Sequence, residues 1–330
     1  MPDKYERPHL IDIKEDDLQA LSSEVLDTLL RDHTTGKNIF WATHDYEALG
    51  SEYGYHSEIL PQMITGEHGM AIRPRVFKSK EQQTDRAKDM AEVFTPSWIC
   101  NAQNNLVDEA WFGRKDVFNS EDEEHHIWQT NPYRIVFPEG KTWKDYVRLP
   151  RMEITCGEAP YLVSRYDTTT GQPIPIENRI GLLDRKLRVV SENTDTTGEW
   201  IDWAQTAFQN IYGYEWQGDN LLLAREALLW TFIEYYQAKF GKAPLMKSIN
   251  YIAYIISWNL WQMDGLKGVV PDSCNEVFEP TGLFDTEPRP KECPACKTGE
   301  LKGHIGQKCI IRDWRKPRDK QKIAFISLIK

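Results

Sequence analysis

The first candidate site consists of two acids and a glycine at or near the ends of strand-like segments. Glu153 lies in a strand-like segment that runs into a turn at Gly157, and Asp184 ends the next apolar run. A turn of small residues lets backbone N–H groups approach a ligand, and an acid after the following strand can accept hydrogen bonds from two ribose hydroxyls. The chain contains neither GxGxxG nor GxxxxGK, so neither a dinucleotide nor a nucleoside triphosphate is indicated.

Three cysteines and a histidine near the C-terminal end have the residue types of a tetrahedral zinc site. Cys293 and Cys296 form a close pair, Cys309 follows, and His304 lies between them. Cys274, further upstream, is the alternative to His304 as fourth ligand. Reduced thiols in a loop are the other interpretation, because six scattered cysteines in a chain of this length do not form a disulfide framework.

The elements that would hold these residues alternate between strands and helices. We predict strands at 152–155 and 180–183, and a third that ends at 218–221 after an aromatic run. Because the carboxyl ends of parallel strands meet at one edge, this order predicts an α/β fold with a doubly wound parallel sheet. The predicted helices are 16–30, 97–109, 161–166, 185–193, 221–240 and 245–266.

The charge of the chain is negative and uneven. The 330 residues carry a net charge of −10, which argues against coating nucleic acid by bulk electrostatics. Residues 291–330 carry eleven basic and four acidic side chains, a net +7, so residues 1–290 carry −17. We therefore expect any phosphate contact near the C-terminal end, where a solvated tail is the competing interpretation.

Neither a membrane span nor a leader is indicated. The longest uncharged stretch, 248–263, is too short and too polar to cross a bilayer. No basic-then-apolar leader opens the sequence. We therefore predict a cytoplasmic protein with no membrane partner.

Four segments resemble, in the same order, the S-adenosylmethionine-binding motifs of adenine-specific DNA methyltransferases. They are Phe94-Thr95-Pro96, Glu153 to Leu162, Asp184 and Gly218-Asp219. Most of the chain resembles the proteins called restriction endonuclease subunit M, which belong to restriction-modification systems. The resemblance implies a Rossmann-like cofactor-binding core.

The resemblance also implies a domain order. A mostly helical N-terminal region at 1–142 would precede the Rossmann-like core at 143–235. A helical insertion at 236–272 and a basic tail at 273–330, the part with the zinc-type cysteines, would follow.

The resemblance further implies roles for single residues. The implied cofactor-binding residues, from the methionine end to the adenine end, are Phe94, Thr95, Pro96, Glu153, Cys156, Gly157, Asp184, Asp219 and Asn220. The first three would close the pocket, and the next three would hold the methionine amine and carboxylate. Asp184 would accept the ribose hydroxyls, and Asp219 the adenine amine of the cofactor. The chain departs from the family at Ala159, where a second glycine is usual.

A second departure concerns catalysis. Adenine methylation uses a loop with Asn or Asp, two prolines and an aromatic residue, which binds the target amine and stacks on the flipped base. The chain lacks this tetrapeptide, and Asn131-Pro132-Tyr133, the nearest match, is interpreted as a surface turn. The last apolar run, 322–329, comes where the strand before that loop is expected. We therefore hypothesise a split enzyme in which a partner chain supplies the catalytic loop and target recognition.

These observations predict the S-adenosylmethionine-binding subunit of a DNA adenine methyltransferase, acting on double-stranded DNA, with zinc as a second, structural cofactor. A non-catalytic scaffold or regulatory subunit of a nuclease complex is the competing hypothesis. An RNA or protein methyltransferase is a further one, because cofactor motifs do not encode the methyl acceptor.

Overall fold

The computed structural model describes residues 11–89, 95–277 and 291–329, in which helices alternate with short strands. The mixture agrees with the predicted α/β class. The helices are α1 (Glu15–Leu21), α2 (Ser23–Leu30), α3 (Lys80–Asp89), α4 (Ser97–Phe112), α5 (Trp143–Arg148), α6 (Leu182–Asn193), α7 (Thr197–Gln209), α8 (Gly218–Phe240), α9 (Met246–Asn259) and α10 (Pro294–Thr298). The strands are β1 (Asn119–Asp122), β2 (Ile127–Thr130), β3 (Arg151–Glu153), β4 (Ile211–Glu215), β5 (Leu260–Gln262), β6 (Ile310–Arg312) and β7 (Lys322–Ala324).

A parallel sheet of three short strands, in the order β3-β4-β5, organises the fold. Arg151 lies opposite Ile211, and Gly213 lies opposite Leu260. Helices α6 and α7 connect β3 to β4, and α8 and α9 connect β4 to β5, because parallel neighbours need long crossover connections. The strands follow one another in chain order, so the described residues form one winding of an α/β sheet. A doubly wound sheet requires that this order reverse.

Helix α8 and strand β4 lie at the centre of the core. All five residues of β4 are buried, and α8 is buried on all sides from Gly218 to Tyr236. A helix buried all round its circumference belongs to the interior of a domain, and α2, α6, α9 and β5 pack around this one. A single hydrophobic cluster extends from Ile13 to Leu260, so the N-terminal helices share their core with the sheet.

The segment predicted as the second strand, 180–183, instead starts helix α6. Asp184 lies in the first turn of that helix, and its carboxylate accepts hydrogen bonds from the N–H groups of Gly181 and Ser164 at 3.2 and 2.8 Å. Such a cap satisfies an amide donor that the start of a helix leaves open. A short apolar run does not distinguish a strand from a buried helix start. The helix predicted at 185–193 is confirmed as the rest of α6.

The helix predicted at 161–166 is reduced to a turn. The N–H groups of Tyr161 and Leu162 donate to the Glu153 carboxylate at 3.4 and 3.2 Å. The next free amide, that of Ser164, donates to Asp184 at 2.8 Å. The N–H groups of Leu162 and Val163 also donate to the carbonyl of Ala159, each at 3.0 Å, so one turn forms. It does not continue into a helix, because Asp184 accepts the N–H of Ser164.

The third predicted strand end also belongs to a helix. Gly218 and Asp219 form the first turn of α8, and the strand before them, β4, ends at Glu215. The long helix predicted at 221–240 is confirmed within α8. The acid at the end of this strand is therefore Glu215, not Asp219.

The helix predicted at 245–266 divides into α9 and β5 at Asn259. The side-chain amide of Asn259 donates to the carbonyls of Phe208 and Ile211, each at 2.9 Å. These bonds hold the end of α9 against the start of β4, where β5 then pairs with it. Three strand residues carry too little periodicity to be separated from a preceding apolar helix.

Two features complete the described chain. The helix predicted at 16–30 is interrupted at Ser22, whose backbone is extended, whereas the helix predicted at 97–109 is confirmed as α4. Strands β1 and β2 form one antiparallel pair, and strands β6 and β7 form another. The apolar run 322–329 forms β7 and a short 3₁₀ helix.

Among the residues that the structure describes, no helix combines the length and the apolar character needed to cross a bilayer.

Candidate functional site

The turn after β3 lies against the end of β4, at the carboxyl edge of the sheet. The N–H of Cys156 donates to the carbonyl of Tyr214 at 2.9 Å, and the N–H of Gly157 donates to the Glu215 carboxylate at 2.8 Å. A methyl group on Gly213 would come within 3.4 Å of the Cys156 sulfur, so a glycine in β4 leaves room for the turn. Two of the predicted cofactor residues, Cys156 and Gly157, therefore lie where the sheet would present a ligand.

The backbone of this turn is unusual. Thr155, Gly157 and Ala159 have φ angles of +46°, +52° and +60°, in the left-handed region that favours glycine. Ala159 is the position where the resembled family usually has a second glycine. Its positive φ gives a physical reason for that preference, and a left-handed alanine costs about 1 kcal/mol.

Two buried acids, Glu153 and Glu215, flank the turn. Each is only 8% exposed. Burial raises the pKa of Glu215, and burial together with the Glu215 charge raises the pKa of Glu153 well above its usual range, although the N–H groups of Tyr161 and Leu162 oppose this. Burial and mutual repulsion disfavour the ionised forms of these two acids. A cationic ligand between or beside them would stabilise those ionised forms.

A third acid, Asp264, follows β5 at the same edge. It is 4% exposed, and it lies two residues after Gln262, which is paired with Glu215 across the β4–β5 ladder. Asp264 Oδ1 accepts the N–H of Leu266 at 3.0 Å, and Oδ2 lies 3.0 Å from the ammonium of Lys267. The carboxyl ends of β3, β4 and β5 thus each bring an acid to one edge.

Asp184, predicted to accept the ribose hydroxyls, is instead fully buried at the start of α6. Its Oδ2 accepts the Ser164 N–H, the Ser164 hydroxyl at 3.1 Å and the Gly181 N–H. Burial raises the pKa of this carboxyl to about 6, against the opposing effects of Arg179 and Ser164. The structure therefore gives Asp184 a capping role inside the protein.

Asp219, predicted to bind the cofactor adenine, is also fully buried, and two cations hold it. Arg86 Nη1 lies 2.9 Å and Lys78 Nζ 3.2 Å from its Oδ2, and the Tyr46 hydroxyl donates to the same oxygen at 2.7 Å. Burial raises the pKa of Asp219, but Arg86 and Lys78 outweigh burial and hold it well below its usual range. The predicted neighbour Asn220 is buried as well, and its amide donates to the Gln217 side chain at 2.8 Å.

The Phe-Thr-Pro segment lies beside the turn after β3 as far as it is described. Phe94 falls outside the described residues. Pro96 immediately precedes α4, and the Thr95 side chain hydrogen-bonds the hydroxyl of Tyr161, five residues after Cys156. Thr95 therefore lies beside the residues that follow the turn after β3.

A second cluster, the metal cluster, comprises Cys274, Cys293, Cys296 and His304. Their sulfur and nitrogen ligand atoms all lie within 4.8 Å of one another. The three sulfurs lie 3.7, 3.5 and 3.4 Å from His304 Nδ1, in the order given above. A tetrahedral zinc ion with Zn–S of about 2.3 Å and Zn–N of about 2.05 Å requires S···N separations of about 3.6 Å. The cluster could therefore bind a metal ion, and its dimensions fit zinc.

The pKa values of two thiols in the metal cluster shift in opposite directions: burial and hydrogen bonds with Cys293 and Cys274 raise that of Cys296 to about 11. Burial raises the pKa of the Cys293 thiol, but the N–H groups of Ile305 and Cys296 and the His304 ring outweigh burial and lower it to about 6. A thiolate is the form that binds a metal. Cys296 is the exposed member, and the other three ligand residues are buried.

Cys309, predicted as a ligand, lies outside the metal cluster. It is fully buried among the apolar residues around Tyr214 and Trp261, and its thiol contacts the carbonyl of Gln262 at 3.4 Å. Cys309 immediately precedes β6, which packs this thiol against the sheet. The sequence analysis named Cys274 as the alternative to His304. In the structure Cys274 replaces Cys309 instead, so the cluster contains both Cys274 and His304.

Sequence reasoning overlooked two residues of the sheet edge, Glu215 and Asp264. The signal for the first was present: Ile211 to Glu215 contains one β-branched and two aromatic residues and ends in an acid, which is typical of a strand that ends in an acid. Asp264 was overlooked because it falls within the segment 245–266, which was predicted as one long helix.

The chain matches no family model, and it has no match among curated proteins or solved structures.

Proposed function

We propose that the chain binds S-adenosylmethionine at the carboxyl edge of β3, β4 and β5, within a Rossmann-like core. The observation that carries the proposal is the Gly157 N–H donating to Glu215 at 2.8 Å, which joins a tight turn after one strand to an acid after the next. A ligand with a ribose is recognised by this pairing of a small-residue turn with an acid. The sulfonium and amine of the cofactor are cations, and a cation bound at this edge would favour the ionised forms of Glu153 and Glu215.

The roles of single residues follow from their places at the edge. Glu153 and the turn at Gly157 would receive the methionine end. Glu215, at the end of the strand next to β3, would accept the ribose hydroxyls, and Asp264, at the end of β5, the adenine amine. These two acids replace Asp184 and Asp219, which lie fully buried in the first turns of α6 and α8 and not at the ends of strands.

The methyl acceptor we propose is adenine in double-stranded DNA, in a restriction-modification system. Support for this part comes from the resemblance of the motifs to adenine-specific DNA methyltransferases. The loop with Asn or Asp, two prolines and an aromatic residue would come from protein outside these 330 residues, in the simplest case from a partner subunit. That subunit would also read the target sequence.

The cofactor proposal is tested by titrating S-adenosylmethionine into the purified chain in a calorimeter. We expect one site, and in Glu215→Gln an affinity about tenfold to a hundredfold weaker, because hydrogen bonds to a charged acceptor contribute about 1.5–3 kcal/mol. Glu123→Gln, an exposed acid in the β1–β2 hairpin, is the matched control and should bind like the wild type. Wild-type protein that does not bind, even with a partner present, would favour the non-catalytic scaffold.

We also propose that the metal cluster holds a structural zinc ion. Metal analysis should find about one zinc per chain, and Cys296→Ala should lose it. Cys100→Ala, a cysteine of α4 remote from the metal cluster in sequence, should keep it. Fewer than about 0.1 zinc ions per chain after purification without chelator would exclude the proposal.

A further inference from the structure

The metal cluster and the sheet edge are connected by one short segment, residues 264–274. This segment begins at Asp264, the acid after β5, and ends at Cys274, the first ligand of the metal cluster. It contains no regular helix or strand, so its shape depends on the bonds it makes with its surroundings.

Backbone hydrogen bonds fold the first half of the segment onto Asp264. The carbonyl of Asp264 accepts the N–H groups of Lys267 and Gly268 at 3.1 and 2.8 Å, and the N–H of Asp264 donates to the carbonyl of Val269 at 2.8 Å. Asp264 is therefore held from both sides by its own turn, and the position of its carboxylate depends on that turn remaining closed.

The second half of the segment is bonded to the chain that follows His304. Val270 donates to the carbonyl of Gln307 at 2.8 Å, and the N–H of Gln307 donates to the Ser273 hydroxyl at 3.0 Å. Cys309 donates to the carbonyl of Gly268 at 3.1 Å. The turn at Asp264 is thus hydrogen-bonded to the segment 307–309, which begins three residues after the ligand His304.

A side chain makes a second connection. Lys267 Nζ lies 3.0 Å from Asp264 Oδ2. Burial lowers the pKa of Lys267, but Asp264 and, to a smaller extent, the thiols of Cys296 and Cys274 raise it above its usual value. The ammonium paired with the acid of the sheet edge therefore lies within electrostatic reach of the metal cluster.

We infer that metal binding at Cys274, Cys293, Cys296 and His304 acts as a clamp that closes the 264–270 turn and fixes Asp264 at the sheet edge. The inference rests on the proposed zinc centre, but not on binding of S-adenosylmethionine. A metal ion that joins ligands 30 residues apart in sequence, Cys274 and His304, restricts the chain between them and the segments bonded to them. Metal binding would then control whether Asp264, one acid of the proposed cofactor site, is held in a fixed position.

Hydrogen exchange of the full chain, with and without Zn²⁺ as the only added ligand, tests the clamp. The readout is a peptide covering 263–270, which contains the bonded amides of Asp264, Lys267 and Gly268. We expect zinc to slow its exchange by about tenfold or more, while peptides from the buried helix α8 change much less. Cys296→Ala should abolish the zinc effect, and Cys100→Ala should retain it.

The outcomes separate the clamp from the other proposals. Stoichiometric zinc with unchanged exchange at 263–270 would overturn the clamp and leave the zinc centre standing. Equal slowing in α8 would also overturn it, because the ion would then stabilise the whole fold rather than this turn. A chain that binds no zinc would overturn both, and none of these results depends on the cofactor.

Discussion

At the scale of single residues, similar sequence signals lead to different environments. Glu153, Glu215, Asp184 and Asp219 each lie within or beside a segment with strand-like residues. The first two end parallel strands, whereas the other two lie in the first turns of helices. The sequence correctly placed Glu153 in a strand and Gly157 in the turn after it, but assigned the wrong element to Asp184 and Asp219. Strand pairing between distant segments, which a local pattern does not contain, decides which acid lies at the sheet edge.

The buried charge cluster around Asp219 should stabilise the fold. Asp219→Asn leaves Arg86 and Lys78 without the carboxylate they share, and removing one partner of a buried ion pair costs about 3–5 kcal/mol. Denaturant unfolding at neutral pH should show that loss. Asp202→Asn, on the exposed face of α7, should change the free energy of unfolding by less than about 0.5 kcal/mol.

The same cluster has a defined pH dependence. Because the folded-state pKa of Asp219 lies below its unfolded value, its stabilisation is present above the unfolded value and is lost as the pH falls through the folded one. The difference in stability between wild type and Asp219→Asn should therefore shrink in acid. A difference that stays constant from neutral pH into strong acid would contradict this account of the ion pairs.

The acids of the sheet edge predict a pH dependence of cofactor affinity. Burial raises the pKa of Glu153 and Glu215 in the free protein. A bound cation favours their ionised forms, so binding releases protons and affinity rises as the pH rises through the raised values. Calorimetry of S-adenosylmethionine binding in buffers of different ionisation enthalpy should report that release, and Glu215→Gln should report less. Proton uptake on binding would contradict the arrangement.

At the scale of elements, periodicity predicted the long helices and missed the short strands. Helix α8 and most of α9 follow from their apolar patterns, because many residues contribute to each signal. Strand β5 has three residues, and its start depends on Asn259 binding carbonyls of α7 and β4. Likewise, residues 180–183 lead into a helix and not a strand because the Asp184 carboxylate caps the start of α6. Such long-range contacts are not encoded in the local pattern.

The start of α8 is packed against the N-terminal region, and this predicts a contrast between two glycines. A methyl group on Gly218 would lie 2.1 Å from the carbonyl oxygen of Phe40, whereas one on Gly198 in α7 would meet nothing within 4 Å. Gly218→Ala should therefore destabilise the protein by about 1–3 kcal/mol, and Gly198→Ala should stabilise it by about 0.5–1 kcal/mol. Equal effects in denaturant unfolding would show that the helix start is not held against Phe40.

At the scale of the whole molecule, charge and the metal cluster were more accessible from the sequence than the sheet edge was. The clustered cysteines and His304 identified the metal cluster, and only the exchange of Cys309 for Cys274 required the structure. The charge of −17 on residues 1–290 disfavours direct DNA contact there and suits a basic partner protein. A split enzyme in which the partner reads DNA agrees with this distribution, and the +7 of residues 291–330 leaves the C-terminal segment as the part suited to phosphate.

The most direct test of the central proposal is a crystal structure of the chain with S-adenosylmethionine. The cofactor should lie at the carboxyl edge of β3, β4 and β5, with its ribose hydroxyls on Glu215 and its methionine end at the Gly157 turn. Asp184 and Asp219 should keep their present partners. A cofactor bound elsewhere, or one whose ribose is held by Asp184 after α6 has rearranged, would contradict the account.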